Sequence, residues 1–294
     1  MTHPLIYHNG RLIDANADVL RPGQVGLMNG WGVFSTVKVV DGVLFAFPRH
    51  WARMSRDAEL LRVDFPWTPA GLEAELMRLV EANQAWDSTM RVCVIRNRGG
   101  MWESPGLDRD VDLIAFTADR KQWGGACRLG IVPHGRFAAS PFSGAKVTSW
   151  AVNLVYFEQA QARGLDEVIL LNERQEVSEC TSANVFAVFP REGGWLVLTP
   201  PLSSGCLPGI TRELLLEEIR APGIEVREQP LTLDDLERAC GLFISSSTRE
   251  LLPVSEVEGL SIQVENTVIS ALLEAYYRYE HAYVSQRSTR RARS

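Results

Sequence analysis

Residues 144–150 read Gly144-Ala145-Lys146-Val147-Thr148-Ser149-Trp150, and their lysine is one of three among the 30 basic residues of the chain. The pattern around Lys146 predicts the end of a strand, followed by a helix over residues 152–163. Arginine cannot replace a lysine that reacts as a nucleophile, because a guanidinium does not lose its proton. A lone lysine in such a place is more often a surface charge, so its role depends on the rest of the sequence.

Other polar segments stand at the ends of predicted strands and helices. Glu179 precedes an apolar strand predicted over residues 185–189, and Arg53 lies on an amphipathic helix predicted over residues 48–61. Two more segments follow: the first contains Gly209, Ile210 and Thr211, and the second contains Ser246, Ser247 and Thr248. The first of these opens a helix after a proline. Such a helix N-terminus suits a phosphate, because it offers free N–H groups and a favourable dipole.

In their order and spacing these segments resemble the class IV, or fold-type IV, pyridoxal-phosphate enzymes. That family includes branched-chain aminotransferases, D-amino-acid aminotransferases, (R)-selective amine transaminases and aminodeoxychorismate lyase. The resemblance covers residues 5–260, and it implies that Lys146 binds the cofactor and moves the substrate proton. It also implies that Glu179 faces the pyridine nitrogen, so these two residues form the catalytic pair. The other implied cofactor-binding residues, most of them around the phosphate, are Arg53, Gly209, Ile210, Thr211, Ser246 and Ser247.

The sequence departs from the family where the substrate binds. Ser35 stands where the aminotransferases usually carry glutamate, whereas the lyase carries a hydroxyl residue there. Trp150 lies nearest the position of a tyrosine that contacts the cofactor in branched-chain enzymes. The loop after residue 95 offers Arg96 and Arg98 for a substrate carboxylate, although a solvated loop arginine is an equally good interpretation. The full set of substrate-binding candidates is Phe34, Ser35, Arg96, Arg98, Trp102, Trp150 and Thr248.

The resemblance implies an enzyme that moves an amino group between an amino acid or amine and a keto acid. Two alternatives stay open: a lyase that releases pyruvate from aminodeoxychorismate, and a paralogue that binds the cofactor without catalysis. Pyruvate formation without a keto-acid acceptor would identify the lyase. Retention of Lys146 argues against the paralogue, because a binding scaffold does not need the amine. The family also implies a homodimer.

Strands and helices alternate irregularly, which indicates an α+β fold with two subdomains. The turn pairs Asn9-Gly10 and Asp41-Gly42 predict two hairpins near the start of the chain. We expect an N-terminal subdomain over residues 1–118, a linker over 119–127 and a cofactor-binding subdomain over 128–284. Residues 285–294 are basic and unpatterned, so we expect a disordered tail. The resemblance places the cofactor in the cleft between the subdomains.

Composition excludes several other classes of protein. The chain has 294 residues, a net charge of −6, 46 % hydrophobic and 22 % charged residues, all within the range of globular proteins. No apolar run approaches the roughly 18 residues of a membrane span, and the start of the chain lacks the pattern of a secretion signal. The acidic body disfavours nucleic-acid binding. The five cysteines fit neither a disulfide framework nor a metal site, so we expect a cytoplasmic protein without a metal.

Overall fold

The computed structural model describes residues 1–100, 107–265 and 267–291, and side chains up to residue 288. The chain divides into two compact units. Unit 1 contains residues 1–121, residues 145–150 and those from 282 onward, and unit 2 contains residues 122–144 and 151–281. Each unit has its own sheet together with helices. The predicted α+β class is therefore confirmed.

Unit 1 is built on an antiparallel sheet with the strand order β2-β1-β6-β5-β3-β4. Its strands are β1 (Thr2–His8), β2 (Arg11–Asp14), β3 (Gly32–Val40), β4 (Val43–Leu44), β5 (Ser88–Arg96) and β6 (Val111–Asp119). Its helices are α1 (Val25–Asn29), α2 (Phe47–Leu60) and α3 (Pro69–Ala82). One face of the sheet packs against α2 and α3 in an apolar core that includes Val37, Leu76 and Met90.

Both predicted hairpins are confirmed. At each turn the two central residues have positive φ, as a type I′ turn requires: 47° and 84° at Asn9 and Gly10, and 46° and 72° at Asp41 and Gly42. The apolar residues 43–47 predict a strand after the second turn, and the observed strand is shorter. It stops at Leu44, since Ala46 turns the chain at a φ of 52° and α2 begins at the next residue.

Helix α2 buries a face that differs from the one the apolar pattern predicts. The spacing of Trp51, Met54, Ala58 and Leu61 predicts an apolar stripe. The buried face contains Met54 and Ala58, but it also contains three polar residues at helical spacing, namely His50, Arg53 and Asp57. A buried polar side chain needs partners, so this face of α2 is where a site can be built.

Unit 2 is built on a mixed sheet with the strand order β12-β11-β10-β13-β14-β7-β8-β9. Its strands are β7 (Cys127–Val132), β8 (Glu167–Leu171), β9 (Val177–Cys180), β10 (Asn184–Arg191), β11 (Gly194–Thr199), β12 (Ile224–Glu228), β13 (Gly241–Ser246) and β14 (Glu250–Val257). Its helices are α4 (Ala151–Ala162), α5 (Ile210–Glu217), α6 (Leu233–Arg238) and α7 (Thr267–Arg291), of which α7 has its last residues in unit 1.

The observed division of the chain differs from the predicted boundaries in three places. Residues 145–150 belong to unit 1, because Val147 forms an antiparallel bridge with Val33 of β3. The linker is shorter than predicted, since β6 ends at Asp119 and β7 begins at Cys127. The predicted disordered tail is wrong over residues 285–291, where α7 continues as a helix.

Candidate active site

The backbone of Lys146 is fixed on unit 1 by hydrogen bonds on both sides. The Phe34 N–H of β3 donates to the Lys146 carbonyl at 3.0 Å. The Lys146 N–H in turn donates to Oδ2 of Asp57 at 3.0 Å. Asp57 is buried on α2, and its other carboxylate oxygen accepts from Arg56. The sheet and α2 therefore both fix the position of the Lys146 backbone.

The amine of Lys146 lies beside an aromatic group. Its Nζ is 4.6 Å from the centre of the Phe34 ring. Trp150 meets the same ring edge-on, with 6.3 Å between ring centres and 77° between planes. The guanidinium carbon of Arg91 on β5 is 3.9 Å from the Phe34 centre. The ring of Phe34 thus contacts the lysine amine, Trp150 and Arg91.

Next to Phe34, the buried polar face of α2 meets β3. Ser35 Oγ and His50 Nδ1 share a hydrogen bond of 2.7 Å, and Arg53 donates to Ser35 Oγ at 3.1 Å. All three residues are buried. Burial, assisted by the charges of Arg53 and Lys146, holds the pKa of His50 well below its usual range. The imidazole is therefore neutral near pH 7, and the positive charge of this cluster belongs to Arg53.

Glu179, the predicted partner of the ring nitrogen, is held in place by two donors in unit 2. Its Oε1 accepts from Nε of Arg136 at 3.1 Å, and its Oε2 accepts from the Leu207 N–H at 3.1 Å. Arg136 also donates to Oδ1 of Asn153 at 3.1 Å. Sequence reasoning missed Arg136, because nothing in its surroundings, an irregular segment between β7 and α4, marks it as the partner of a distant carboxylate.

The start of α5 has the properties of an anion site. No side chain caps this helix, whose N-cap residue is Gly209, and both Ile210 and Thr211 are buried. Buried helix N–H groups need an acceptor, and a phosphate supplies one. A Cβ on Gly209 would lie 2.0 Å from Oδ1 of Asn184, so only glycine fits there. The residues present therefore fit the phosphate of the implied cofactor.

The predicted serines lie in the turn between β13 and β14. Ser246 Oγ is 3.4 Å from Oγ1 of Thr248 and accepts from the Arg249 N–H at 3.1 Å, and Ser247 is half-buried in the same turn. The turn is tied to the body of unit 2 by the buried ion pair between Arg249 and Glu167, with 3.3 Å between Nη2 and Oε2. This anchor was not predicted from the sequence.

The two loop arginines use their guanidinium groups within unit 1. Arg96 donates to the carbonyls of Arg98 and Arg62 at 2.7 and 2.8 Å. Arg98 donates to the carbonyl of Leu107 at 3.1 Å and lies 3.3 Å from a carboxylate oxygen of Asp110. Their substrate-binding role stays a prediction. The last aromatic candidate, Trp102, falls outside the described residues.

Two structural features relate to the predictions that the protein binds no metal and has no membrane span. Within the described residues, no group of three or more histidine, cysteine, aspartate or glutamate side chains could hold a metal ion. Among the helices described, none combines the length and the apolar character that a membrane span requires.

Comparison with known proteins identifies the family. The model of the class IV amino-transferases matches residues 32–257. A putative branched-chain-amino-acid aminotransferase of Methanocaldococcus jannaschii is 31 % identical over 261 residues, which are 86 % of this chain and 88 % of that protein. A D-alanine aminotransferase of Bacillus licheniformis is 26 % identical over 87 % of this chain and 89 % of its own.

The fold comparison agrees with the sequence comparison. A hypothetical aminotransferase from Mycobacterium tuberculosis, solved in its form bound to pyridoxal phosphate, has a TM-score of 0.78 at 22 % identity. The match covers 92 % of this chain and 96 % of that one. The predicted family, enzyme class and cofactor are thus confirmed. The chain belongs to the class IV aminotransferases and is an enzyme that transfers amino groups with pyridoxal phosphate.

Proposed function

We propose that this aminotransferase moves the amino group of an amino acid to a keto acid at Lys146. One observation carries the proposal. Two backbone hydrogen bonds hold Lys146 in place, and its side-chain amine packs beside the ring of Phe34. Fixed geometry matters because a proton must pass between the substrate carbon and a single side chain. Bound pyridoxal phosphate supplies an electron-withdrawing ring for this chemistry.

Lys146 acts as the acid and base of the reaction. With the cofactor bound, Lys146 Nζ would take the α-proton of the substrate and return it to the carbon on the cofactor side. The ring of Phe34 packs beside the amine, and Trp150 packs edge-on against that ring. Asp57 acts indirectly, because it accepts a hydrogen bond from the Lys146 N–H and so holds the lysine backbone in place.

Two other groups of residues bind and orient the cofactor. The N–H groups at the start of α5, with the hydroxyls of Ser246 and Ser247, would bind the phosphate dianion in unit 2, and the family resemblance adds Arg53 to the phosphate-binding residues. Glu179 would accept a hydrogen bond from the protonated ring nitrogen of the bound cofactor. Arg136 and the Leu207 N–H each donate to one of its carboxylate oxygens and so fix the orientation of the carboxylate.

An absorption experiment tests this function. Purified protein saturated with pyridoxal phosphate is mixed, without acceptor, with L-alanine, D-alanine, L-leucine, D-glutamate or (R)-1-phenylethylamine. We expect at least one amino acid to replace the band of the lysine-bound cofactor with that of its amine form. The Lys146→Met variant should lack the starting band, whereas the control Lys121→Met should keep it. A band in Lys146→Met, or one that no amino acid discharges, contradicts the proposal.

Ser35 favours a second candidate reaction, the elimination of pyruvate from aminodeoxychorismate. The Ser35 hydroxyl is buried and lies 2.7 Å from Nδ1 of the neutral His50 imidazole, so it can pass a proton. A lyase needs such a proton transfer, and a glutamate in place of Ser35 would not provide it in the same way. Incubation with aminodeoxychorismate, with no keto acid present, tests this reaction. Pyruvate formation that disappears in Ser35→Ala supports the lyase, and its absence leaves transamination alone.

We further propose that the enzyme is a homodimer that contacts its copy through unit 2. On α4, the side chains of Val152, Leu154 and Val155 are 62, 49 and 49 % exposed, and Phe137 and Phe142 are also exposed. Apolar exposure of this kind is typical of an interface. Analytical ultracentrifugation should give a dimer mass for the wild type and a smaller mass for Leu154→Asp. A monomeric wild type contradicts the proposal.

The proposed compartment is the cytoplasm, where thiols stay reduced. Cys127, Cys180 and Cys206 are buried as free thiols. Burial raises the pKa of Cys127 and of Cys206 to about 12, so neither reacts as a thiolate. Fractionation of the producing cell, followed by detection of the protein, tests the location; recovery outside the cytoplasm contradicts it.

A further inference from the structure

Arg249 directly follows the turn that contains Ser246, Ser247 and Thr248, and only 4 % of its side chain is exposed. Its backbone N–H donates to Oγ of Ser246 at 3.1 Å, and this bond ties the arginine to the turn. The guanidinium carbon lies 4.0 Å from the centre of the Trp123 ring. The side chain of Arg249 therefore leads from the turn into the interior of unit 2.

Glu167, at the start of β8, is the acid that balances this arginine. Its Oε2 lies 3.3 Å from Arg249 Nη2 and accepts from the Ser182 hydroxyl at 2.6 Å. Its Oε1 accepts from the hydroxyl and the N–H of Thr181, at 2.5 and 3.2 Å. Arg249 in turn donates to the carbonyl and the hydroxyl of Ser182, at 3.2 and 2.8 Å. The two buried charges need these partners, because an unpaired ion in a protein interior is costly.

The same contacts reach Glu179, the carboxylate proposed to face the ring nitrogen. Thr181 follows Glu179 on the chain by two residues. The Thr181 carbonyl accepts from Nδ2 of Asn153 at 3.0 Å. Oδ1 of Asn153 accepts from Arg136, which also donates to Glu179. A continuous series of buried polar contacts within unit 2 thus connects Glu179 with the turn between β13 and β14.

We propose that Arg249 and Glu167 are a positioning pair, which holds the turn over residues 246–248 in the conformation that binds the cofactor phosphate. This inference rests on the phosphate-binding role proposed above for Ser246 and Ser247. A turn that is already ordered loses less conformational entropy when the anion binds, so it binds the anion more tightly. The pair acts through the backbone of the turn, and it determines affinity for the phosphate group rather than for the ring.

The test compares ligands that differ in the phosphate group. Cofactor-free wild type, Arg249→Lys, Glu167→Gln and the double variant are titrated calorimetrically with pyridoxal phosphate, pyridoxal and inorganic phosphate. Arg249→Lys keeps the charge without the planar fork, and Glu167→Gln removes only the charge. Arg163→Lys is the matched control, because Arg163 forms an exposed ion pair with Glu258 in the same unit. The Tm shows that each protein is folded.

For Arg249→Lys and for Glu167→Gln we expect the Kd of pyridoxal phosphate and of inorganic phosphate to rise about 10-fold. The Kd of pyridoxal should change less than about threefold, because pyridoxal has no phosphate for the turn to bind. The double variant should lose little more than either single variant, since the two side chains act as one unit. A role that is only structural would lower the Tm and weaken all three ligands alike.

Ser182→Ala is a milder change, which tests the pair should a charge variant not fold. It removes the hydroxyl that contacts both ions and leaves their charges in place. We expect the Kd of pyridoxal phosphate to rise about three- to fivefold, again with little change for pyridoxal.

Ser247→Ala distinguishes failure of this inference from failure of the proposed phosphate site. If the Kd of pyridoxal phosphate rises in Ser247→Ala but not in the folded Arg249, Glu167 or Ser182 variants, the positioning role is overturned. An equal loss for pyridoxal and pyridoxal phosphate in those variants overturns it as well. A Kd that is unchanged in Ser247→Ala itself would instead overturn the proposed role of the serine turn.

Discussion

His50 illustrates how a single residue of this site depends on burial. Its ring lies on the inner face of α2, shares a hydrogen bond with Ser35 and is close to two positive groups, Arg53 and Lys146. In the sequence His50 has no partner at the spacing of a metal site, which indicates a structural histidine. The location beside Lys146 could not be predicted, because it depends on residues 145–150 returning to β3, far along the chain from α2.

We predict that His50 makes the protein less stable at mildly acidic pH. Its pKa lies well below the usual 6.5 in the folded state, so below pH 6.5 the unfolded chain binds a proton that the folded chain does not. The free energy of unfolding should then fall by up to about 1.4 kcal/mol for each pH unit below 6.5. Urea midpoints at pH 7.5, 6.5 and 5.5 measure the loss. In His50→Gln the slope should decrease, and an unchanged slope would refute the prediction.

Arg136 is predicted to act through Glu179. Arg136→Gln removes a charged donor from one carboxylate oxygen, and the rate of the first half-reaction should fall about 10-fold or more. The same change made in a Glu179→Gln background should cost little, because the carboxylate that Arg136 orients is then absent. Stopped-flow measurement of all four proteins gives the coupling. Independent, additive losses would show that Arg136 has a separate role.

At the scale of elements, local chemistry accounts for what could be predicted. The turn pairs Asn9-Gly10 and Asp41-Gly42 predict both early hairpins. The 3.6-residue period of apolar residues predicts helices over residues 48–61 and 69–83, which agree with α2 and α3 to within one or two residues. Strands β9, β12 and β14 and helices α1 and α6 were missed. They are short or polar, and β12 and β14 are defined by pairing with β11, β13 and β7, which a single sequence does not reveal.

The candidate site follows the same division. A phosphate-binding role for Gly209, Ile210 and Thr211 could be proposed from the sequence, because the free N–H groups at the start of a helix can bind an anion. The partners that hold the site, Arg136 and Arg91, were not predictable, because each contacts residues from another element of its unit.

The start of α5 should tolerate no side chain at its N-cap. In Gly209→Ala the new Cβ would lie 2.0 Å from Oδ1 of Asn184, so the Asn184 side chain or the start of α5 must shift. We expect a cofactor Kd at least about 10-fold higher and a loss of about 1–3 kcal/mol in stability. Gly125→Ala is the control, since a Cβ there meets open space. Fluorescence titration with pyridoxal phosphate measures the Kd, and equal values for both variants would contradict the prediction.

At the scale of the whole molecule, unit 1 is assembled from distant parts of the chain. Its core uses residues from β1 to β6, its lysine comes from residues 145–150, and its last part comes from the end of α7. Tyr283 from that helix packs edge-on against Phe45, with 5.2 Å between ring centres, and Val284 is 5 % exposed. Tyr283 and Val284 therefore belong to the packed structure of unit 1, whereas the sequence predicts them at the end of the cofactor-binding subdomain.

Truncation should reveal this contribution. A chain that ends at His281 loses Tyr283 and Val284, and we expect a loss of about 3–5 kcal/mol in stability. A chain that ends at residue 288 keeps both side chains and should have nearly the wild-type Tm. Thermal unfolding of the two truncated proteins, with Tyr283→Ala as a point-substituted counterpart, measures the difference. Equal Tm values for both truncations would rule out a structural role for this end.

The discontinuity of unit 1 has a consequence for biosynthesis. A ribosome releases β1 to β6 before the segment with Lys146, and Tyr283 emerges later still. Until then the surface of unit 1 that will receive these later segments stays uncovered. Domains usually fold in order of synthesis, whereas here unit 1 begins before unit 2 and is completed after it. Newly made chains should depend on chaperones until Tyr283 has emerged.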